Sequence, residues 1–288
     1  MAKFKNETLS EKIFIVFTVL FLLTSFLVVV YPIYFIISAS LSDPELVSSG
    51  HVWLFPKGIT LDGYKAIMEY KKIWIGFRNT VVYTVAGTAM SLFVTLPAAY
   101  ALSRKDFLIR NTVMFMFVFT MFFTGGLIPT YLVISQLNLI DSIWVMIIPF
   151  SLNVYNLIIA RTYFQSTLPS VLQEAAAIDG CGDFHFFTKI VLPISKPIIA
   201  VVALYYGVYL WNSYFMPMIY LRSAERQALQ VILRDVLIQN EQLESMTQNL
   251  ADIIKYGIII ISALPMIAVY PFVQKYFIKG VMIGSVKG

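Results

Sequence analysis

Residues 13–37 read Ile-Phe-Ile-Val-Phe-Thr-Val-Leu-Phe-Leu-Leu-Thr-Ser-Phe-Leu-Val-Val-Val-Tyr-Pro-Ile-Tyr-Phe-Ile-Ile, without one charged residue. A helix needs about 20 apolar residues to cross the hydrocarbon core of a bilayer. In lipid the backbone must satisfy its own N–H and C=O groups, and a run of this length does so as a helix. Lys3, Lys5 and Lys12 precede it, as in a secretory signal. However, the run is far longer than the roughly 7–15 apolar residues of a signal. It is expected to stay as a first membrane span.

Five further segments share this character: Thr80–Leu102, Thr112–Ile134, Ile143–Ala160, Ile198–Tyr220 and Tyr256–Val273. None holds Asp, Glu, Lys, Arg or His. Small residues such as Val85-Ala86-Gly87-Thr88-Ala89 would let helices approach closely. The whole chain agrees, being 59% hydrophobic and 13% charged with a mean hydropathy of +0.78. A soluble domain carries about a quarter charged residues. The expected fold class is therefore all-α integral membrane, with six transmembrane helices. Cys181 is the only cysteine, which excludes an intrachain disulfide and a cysteine metal cluster. A buried, inert thiol is expected there.

Basic residues orient the spans. The short loop at 103–111 holds Arg104, Lys105 and Arg110, whereas that at 135–142 has no Lys or Arg. Placing the first loop in the cytoplasm puts both termini there too. Domain bounds follow: a cytoplasmic amino terminus at 1–12, a six-helix membrane body at 13–277 and a cytoplasmic tail at 278–288. Outside, Leu61–Met68 reads as a short surface helix. Leu229, Ile232, Val236 and Leu237 recur at helical spacing in the outer segment 221–254, so a packed helix is expected.

The cytoplasmic loop at 162–196 is the most informative. Pro169 redirects the chain. Ser170 with Gln173 fits a capping box, and Val171 to Ile178 favour helix. Gly180 supplies the positive φ that ends it. A second helix is expected over 183–191 with Asp183 as its N-cap and Phe184, Phe187, Ile190 and Val191 on one face. Pro193 and Pro197 then turn the chain back to the membrane. Two readings fit such a hairpin: a patch lying on lipid headgroups, or a helix that docks in the groove of a soluble partner.

The residues of this loop, Glu174-Ala175-Ala176, Gly180 six positions after the Glu, and Ile190 with Leu192-Pro193, resemble the EAA motif of ABC importer permeases. Asp179, Lys196 and Pro197 look like the sugar-transporter version. The tail from Gln274 to Gly288, with Gly280, Gly284 and Lys287-Gly288, is similar to the carboxyl end of MalG-like carbohydrate permeases. Phe123-Thr124-Gly125-Gly126-Leu127-Ile128-Pro129-Thr130-Tyr131 resembles the oligosaccharide branch of LplC type. Cys181 stands where that family usually has Ala.

The resemblance implies a type I importer permease (MetI-like) fold and a MalG-like role as half of a heterodimeric pore. The implied partners are a second homologous permease, two ATPase subunits and an extracytoplasmic binding protein, all at a bacterial cell membrane. It implies ATPase coupling through Glu174, Ala175, Ala176, Asp179, Gly180, Ile190, Leu192 and Pro193, and a tail contact through Gly284, Lys287 and Gly288. The outer segment Ala224–Gln248 would reach into the binding protein, or else cap the bundle.

Other classes fare less well on the residues. There is no Gly-x-x-x-x-Gly-Lys-Ser/Thr run to cradle phosphates, so ATP and Mg would belong to the partner ATPase and no cofactor to this chain. A proton-driven carrier normally keeps ionisable groups inside its spans; none is present in the six segments. An ion-coupled carrier using neutral oxygens, or a permease for a non-sugar solute, stays as the alternative. His51 and His185, the only histidines, form no His-x-x-x-His metal motif. Neutral polar and aromatic side chains suited to sugar hydroxyls and C–H faces are Asn153, Asn156, Tyr205, Tyr206, Trp211 and Asn212. Buried Asn is costly without a partner, which suggests a wet cavity. Helix–helix hydrogen bonding is the plainer account of the same residues.

Overall fold

A computed structural model describes residues 8–239 and 248–285. Its helices are, in order, α1 (Leu9–Ser40), α2 (Pro44–Ser48), α3 (Asp62–Glu69), α4 (Lys71–Ser103), α5 (Arg110–Phe122), α6 (Leu127–Gln136), α7 (Val154–Thr167) and α8 (Ser170–Ile178). Then come α9 (Asp183–Phe186), α10 (Leu192–Ile194), α11 (Lys196–Trp211), α12 (Phe215–Tyr220), α13 (Leu229–Arg234) and α14 (Gln248–Ser285). No strand occurs among the described residues. The chain divides into two compact units, Met1–Tyr70 with Asp235–Ala263, and Lys71–Arg234 with Leu264–Gly288.

In the first unit α1 begins at a capping box: Thr8 and Glu11 satisfy each other's backbone N–H. Its apolar side chains from Phe14 to Tyr31 are almost all exposed, as lipid-facing residues should be. Burial begins only at Ser38, Ala39 and Ser40, where the Ser40 hydroxyl meets the Tyr64 hydroxyl at 2.9 Å. The expected surface helix is α3, and it is anchored: Ile67 is fully buried and packs where Gly257 leaves no room for a side chain.

The second unit is organised by α4, which packs along α7, α11 and α13. Its core is Leu96, Ala99, Tyr100, Leu157, Ala160, Phe164, Val191, Val202 and Tyr206. Leu229 and Ile232 are buried as the spacing predicts; of the residues that fall in the first unit, Val236 is buried and Leu237 exposed.

Three helices are each long and apolar enough to cross a membrane: Leu9–Ser40, Lys71–Ser103 and Ile254–Pro271. Two bent pairs, α5 with α6 and α9–α10 with α11, raise the number to 5 if each is one span. Three expected spans are thus not continuous helices. Thr112–Ile134 breaks by 114° between α5 and α6, because Gly126 adopts φ +83, a conformation that glycine alone takes freely. In Ile143–Ala160 a short 3₁₀ turn at Ile143–Met146 gives way to irregular backbone, and helix resumes only at Val154. Ile198–Tyr220 stops at Trp211 and resumes as α12; Asn212 bonds back to the Val208 carbonyl at 2.8 Å. Apolarity identified these stretches, but polar side chains and glycine decide where helix stops.

Candidate functional site

The EAA residues form a hairpin at the end of α4 that carries Ser103. Helix α8 ends in a Schellman turn: Cys181 N–H donates to the Ala176 carbonyl at 2.9 Å and Gly180 N–H to the Ala177 carbonyl at 3.1 Å. Gly180 has φ +74, as its position in the sequence required. The two expected N-caps are corrected by one residue each. Ser170 and Asp183 are the first helical residues, capped by Pro169 and Gly182 without a side-chain bond. Neither side chain bends back to an amide, because each lies past the point where the backbone leaves the extended region. Between α9 and α10 the helix widens into a π turn at Phe187–Val191. The chain then bends by 83° before α11; the bend falls at Ser195, between the two prolines, with Pro193 inside α10.

The motif residues divide by direction. Ala176 is buried, and Ile190 and Leu192 pack against the core formed by Phe186, Phe187 and Val191. Glu174, Ala175, Asp179, Gly180 and Pro193 face outward. Beside them stand apolar side chains that none of the described residues covers: Ile178 is 86% exposed, Phe184 81% and Val171 68%. Cys181 is half-buried at the core edge, not fully buried. Gly284 lies within α14, whereas Lys287 and Gly288 lie outside the described residues.

Arg104 is a contributor that the sequence reading treated only as an orienting charge. Its side chain is 13% exposed. It donates twice to Asp106, at 2.9 and 2.7 Å, and once to the Tyr100 hydroxyl at 2.7 Å, and lies 3.7 Å from Asp183 at the start of α9. Those bonds hold the Asp106 carboxyl below its ordinary pKa. Two more arginines close carbonyls here: Arg161 donates to Leu102 near the end of α4 at 3.0 Å, and Arg110 to Arg104 just past it at 2.8 Å. The spacing of Arg104 and Asp106 in a short loop was the available signal. A cavity of about 590 Å³ opens between this knot and α8, bordered by Arg104, Phe164, Pro169, Gln173 and Glu174.

A second cavity, of about 450 Å³, is lined by Pro149, Phe150, Leu152, Asn153, Tyr155, Asn156, Tyr205, Tyr206 and Tyr209. Four of the six residues singled out for sugar contact therefore come together. The Tyr206 hydroxyl joins the Thr95 hydroxyl at 2.7 Å and accepts the Asn153 N–H at 2.9 Å. Asn153 itself caps α7 through the Asn156 N–H. Trp211 and Asn212 are not at the cavity: Trp211 is buried edge-on to Phe77 at 5.7 Å, and Asn212 serves its own helix. Their place in the sequence matched the pattern, but the stop of α11 turns both away. Replacing Tyr206 by Phe leaves Thr95 and the Asn153 amide without their shared partner, at about 1–3 kcal/mol. The variant should melt earlier than the native protein in the same detergent.

No family model matches the chain. It is 41% identical over 275 residues to the polygalacturonan/rhamnogalacturonan transport system permease protein YtcP of Bacillus subtilis (strain 168), covering 93% of this chain and 96% of that one. It is 38% identical to the protein LplC of the same organism, covering 98% of each. The chain is a carbohydrate ABC importer permease. A solved bacterial ABC transporter involved in the import of the acidic polysaccharide alginate contains a chain to which this permease aligns with TM-score 0.90 and 35% identity, covering 94% and 99% of the two. The permease is a multi-pass membrane protein. It is a permease component of an ABC transport system and not itself an enzyme.

Proposed function

We propose that this permease forms half of a heterodimeric pore for an oligosaccharide, driven through the α8–α9 hairpin by a separate ATPase. The observation that carries the reading is the Schellman turn at Gly180, which presents Glu174, Ala175 and Asp179 together with the uncovered Ile178 and Phe184. A helix end with exposed aromatic and aliphatic side chains and the acids Glu174 and Asp179 suits insertion into a groove with a basic residue. Closure of two ATPase subunits would drive the hairpins of two permeases together. ATP and Mg would stay on the ATPase, and Gly284, Lys287 and Gly288 would add a tail contact. In the same reading six crossings comprise the three long helices, the two bent pairs and residues 143–160, with 1–12 and 278–288 in the cytoplasm and 13–277 as the permease body. A second, homologous permease and an extracytoplasmic binding protein complete the assembly, and the segment Ala224–Gln248 reaches toward the latter.

For the substrate, the polygalacturonan/rhamnogalacturonan permease and the alginate importer support a fragment of a plant or algal type polysaccharide. The cavity at Asn153, Asn156, Tyr205 and Tyr206 offers rings for C–H faces and amides for hydroxyls. The deciding experiment expresses this chain with a nucleotide-binding subunit and a second permease and purifies through a tag on this chain. Stoichiometric ATPase is expected in the complex and no ATPase activity in the chain alone. Turnover by the isolated chain, or gradient-driven uptake without a soluble subunit, would refute the reading.

A further inference from the structure

At the opposite end of α4 from Ser103, the residues 221–229 are fixed by buried polar bonds. Asn79 Nδ2 donates to the carbonyls of Glu225 and Gln227 at 2.7 and 3.1 Å. The Tyr83 hydroxyl donates to the Arg226 carbonyl at 2.7 Å, and Leu229 N–H to the Thr80 hydroxyl at 2.8 Å. From the other side Asp141, held at φ +54, accepts the N–H groups of Arg222 and Ser223 at 3.0 Å each and the Ser223 hydroxyl. It also lies 3.4 Å from Arg226. These bonds hold its carboxyl below the usual range, the Ser223 hydroxyl first among them.

The result is a rim of arginines. Arg78, next to Asn79 on α4, and Arg222 and Arg226 on the anchored turn are all exposed, and both Arg78 and Arg226 contribute to the field at the Tyr83 hydroxyl. Lys71 and Lys72, also exposed, start the same helix. Among the described residues, the acids of these segments are Asp141, engaged by Arg226 and Ser223, Glu225, and Glu69 two positions before Lys71.

The charge is connected to the cavity by rings. Arg222 Nη2 donates to the Tyr131 hydroxyl at 2.7 Å. Tyr131 stacks on Tyr220 with centroids 6.0 Å apart and planes at 15°. Tyr220 faces Phe150 at 6.0 Å, and Phe150 lines the cavity of Asn153 and Asn156. Tyr220 is buried, so it joins the two regions by packing, while the half-buried Tyr131 and Phe150 border them; a guanidinium suits a carboxylate through paired N–H donors. We propose that Arg78, Arg222 and Arg226 form a carboxylate-reading rim that selects uronate-containing oligosaccharides before the sugar rings enter the neutral cavity. The proposal rests on the carbohydrate-pore reading and adds where charge is recognised.

The test uses the assembled importer with its binding protein in liposomes. Uptake of an oligogalacturonate is compared with that of a neutral galacto-oligosaccharide of equal length, for the native complex and for Arg78→Gln with Arg222→Gln. Arg226 is kept because it is paired with Asp141. The double variant should lose about tenfold in uronate uptake, the size of a lost charge-assisted contact. Neutral uptake should be unchanged, and the uronate difference should shrink in high salt. Equal loss for both sugars, with loss of binding-protein-stimulated ATPase, would mean that the rim docks the binding protein and overturns the proposal. No loss for either sugar, or native uptake confined to the neutral sugar, also overturns it. Native uptake of neither glycan by a complex that still hydrolyses ATP removes the carbohydrate-pore reading itself.

Discussion

Gly180→Val is expected to cut substrate uptake by the assembled transporter at least about tenfold while ATP hydrolysis continues. The cause is the backbone alone. A Cβ at Gly180 would meet nothing within 4 Å, so no clash is involved. Its φ of +74 lies in the left-handed region, where a β-branched residue is strained by about 1–3 kcal/mol. Each 1.4 kcal/mol is about tenfold in an equilibrium, enough to shift the population of the turn. With the Schellman bonds from Gly180 and Cys181 to Ala177 and Ala176 weakened, α9 no longer leaves α8 at a fixed angle, and motion of a docked ATPase is not passed on. Gly180→Asn is the control, since Asn tolerates this conformation; it should retain most uptake. Paired measurement of uptake and ATPase in proteoliposomes decides the matter, and native uptake by the Val variant would place coupling elsewhere.

The second large effect is at Ile178. With 86% of its surface exposed, Ile178→Asp should change the stability of the chain itself by no more than about 0.5 kcal/mol. On docking, however, the carboxylate would be carried into a groove without a partner. Anchor residues in protein interfaces are worth about 2 kcal/mol or more, so co-purified ATPase should fall by at least about thirtyfold. The chain should keep its native melting temperature in detergent. An ATPase retained at native stoichiometry would show that α8 is not the docking helix, and Phe184→Asp offers an independent check on the same face.

Particular residues show how far the site could be read in advance. Gly180 was legible because a positive φ after a run of helix formers has few other solutions. Asn153, Asn156, Tyr205 and Tyr206 were legible because amides and phenols in an apolar span need a shared polar space. Trp211 and Asn212 satisfied the same rule and still lie away from the cavity, since the helix stop that reorients them depends on one side-chain bond to Val208. Arg104 carried no pattern beyond its Asp two residues on; its value comes from Tyr100 and Asp183, which are distant from each other in sequence. The arginine rim was less legible still. Arg78 and Arg222 are 144 positions apart (222 minus 78) and share a face only because Asn79, Thr80 and Tyr83 hold the later segment.

The sequence by itself determined that this chain lives in a bilayer, that it is helical, that it holds no phosphate-binding loop of its own, and that one loop carries the EAA signature. Those properties follow from composition, run length and single-residue backbone preferences, all of which are local. Only the tertiary structure decided where the apolar runs break, which motif residues face outward, which aromatic residues border a cavity, and that Arg78 and Arg222, far apart in sequence, stand near one end of α4. The breaks depend on the backbone state of Gly126 and on the bond from Asn212 to Val208, and the rest on side chains paired across long sequence separations, which local patterning does not encode.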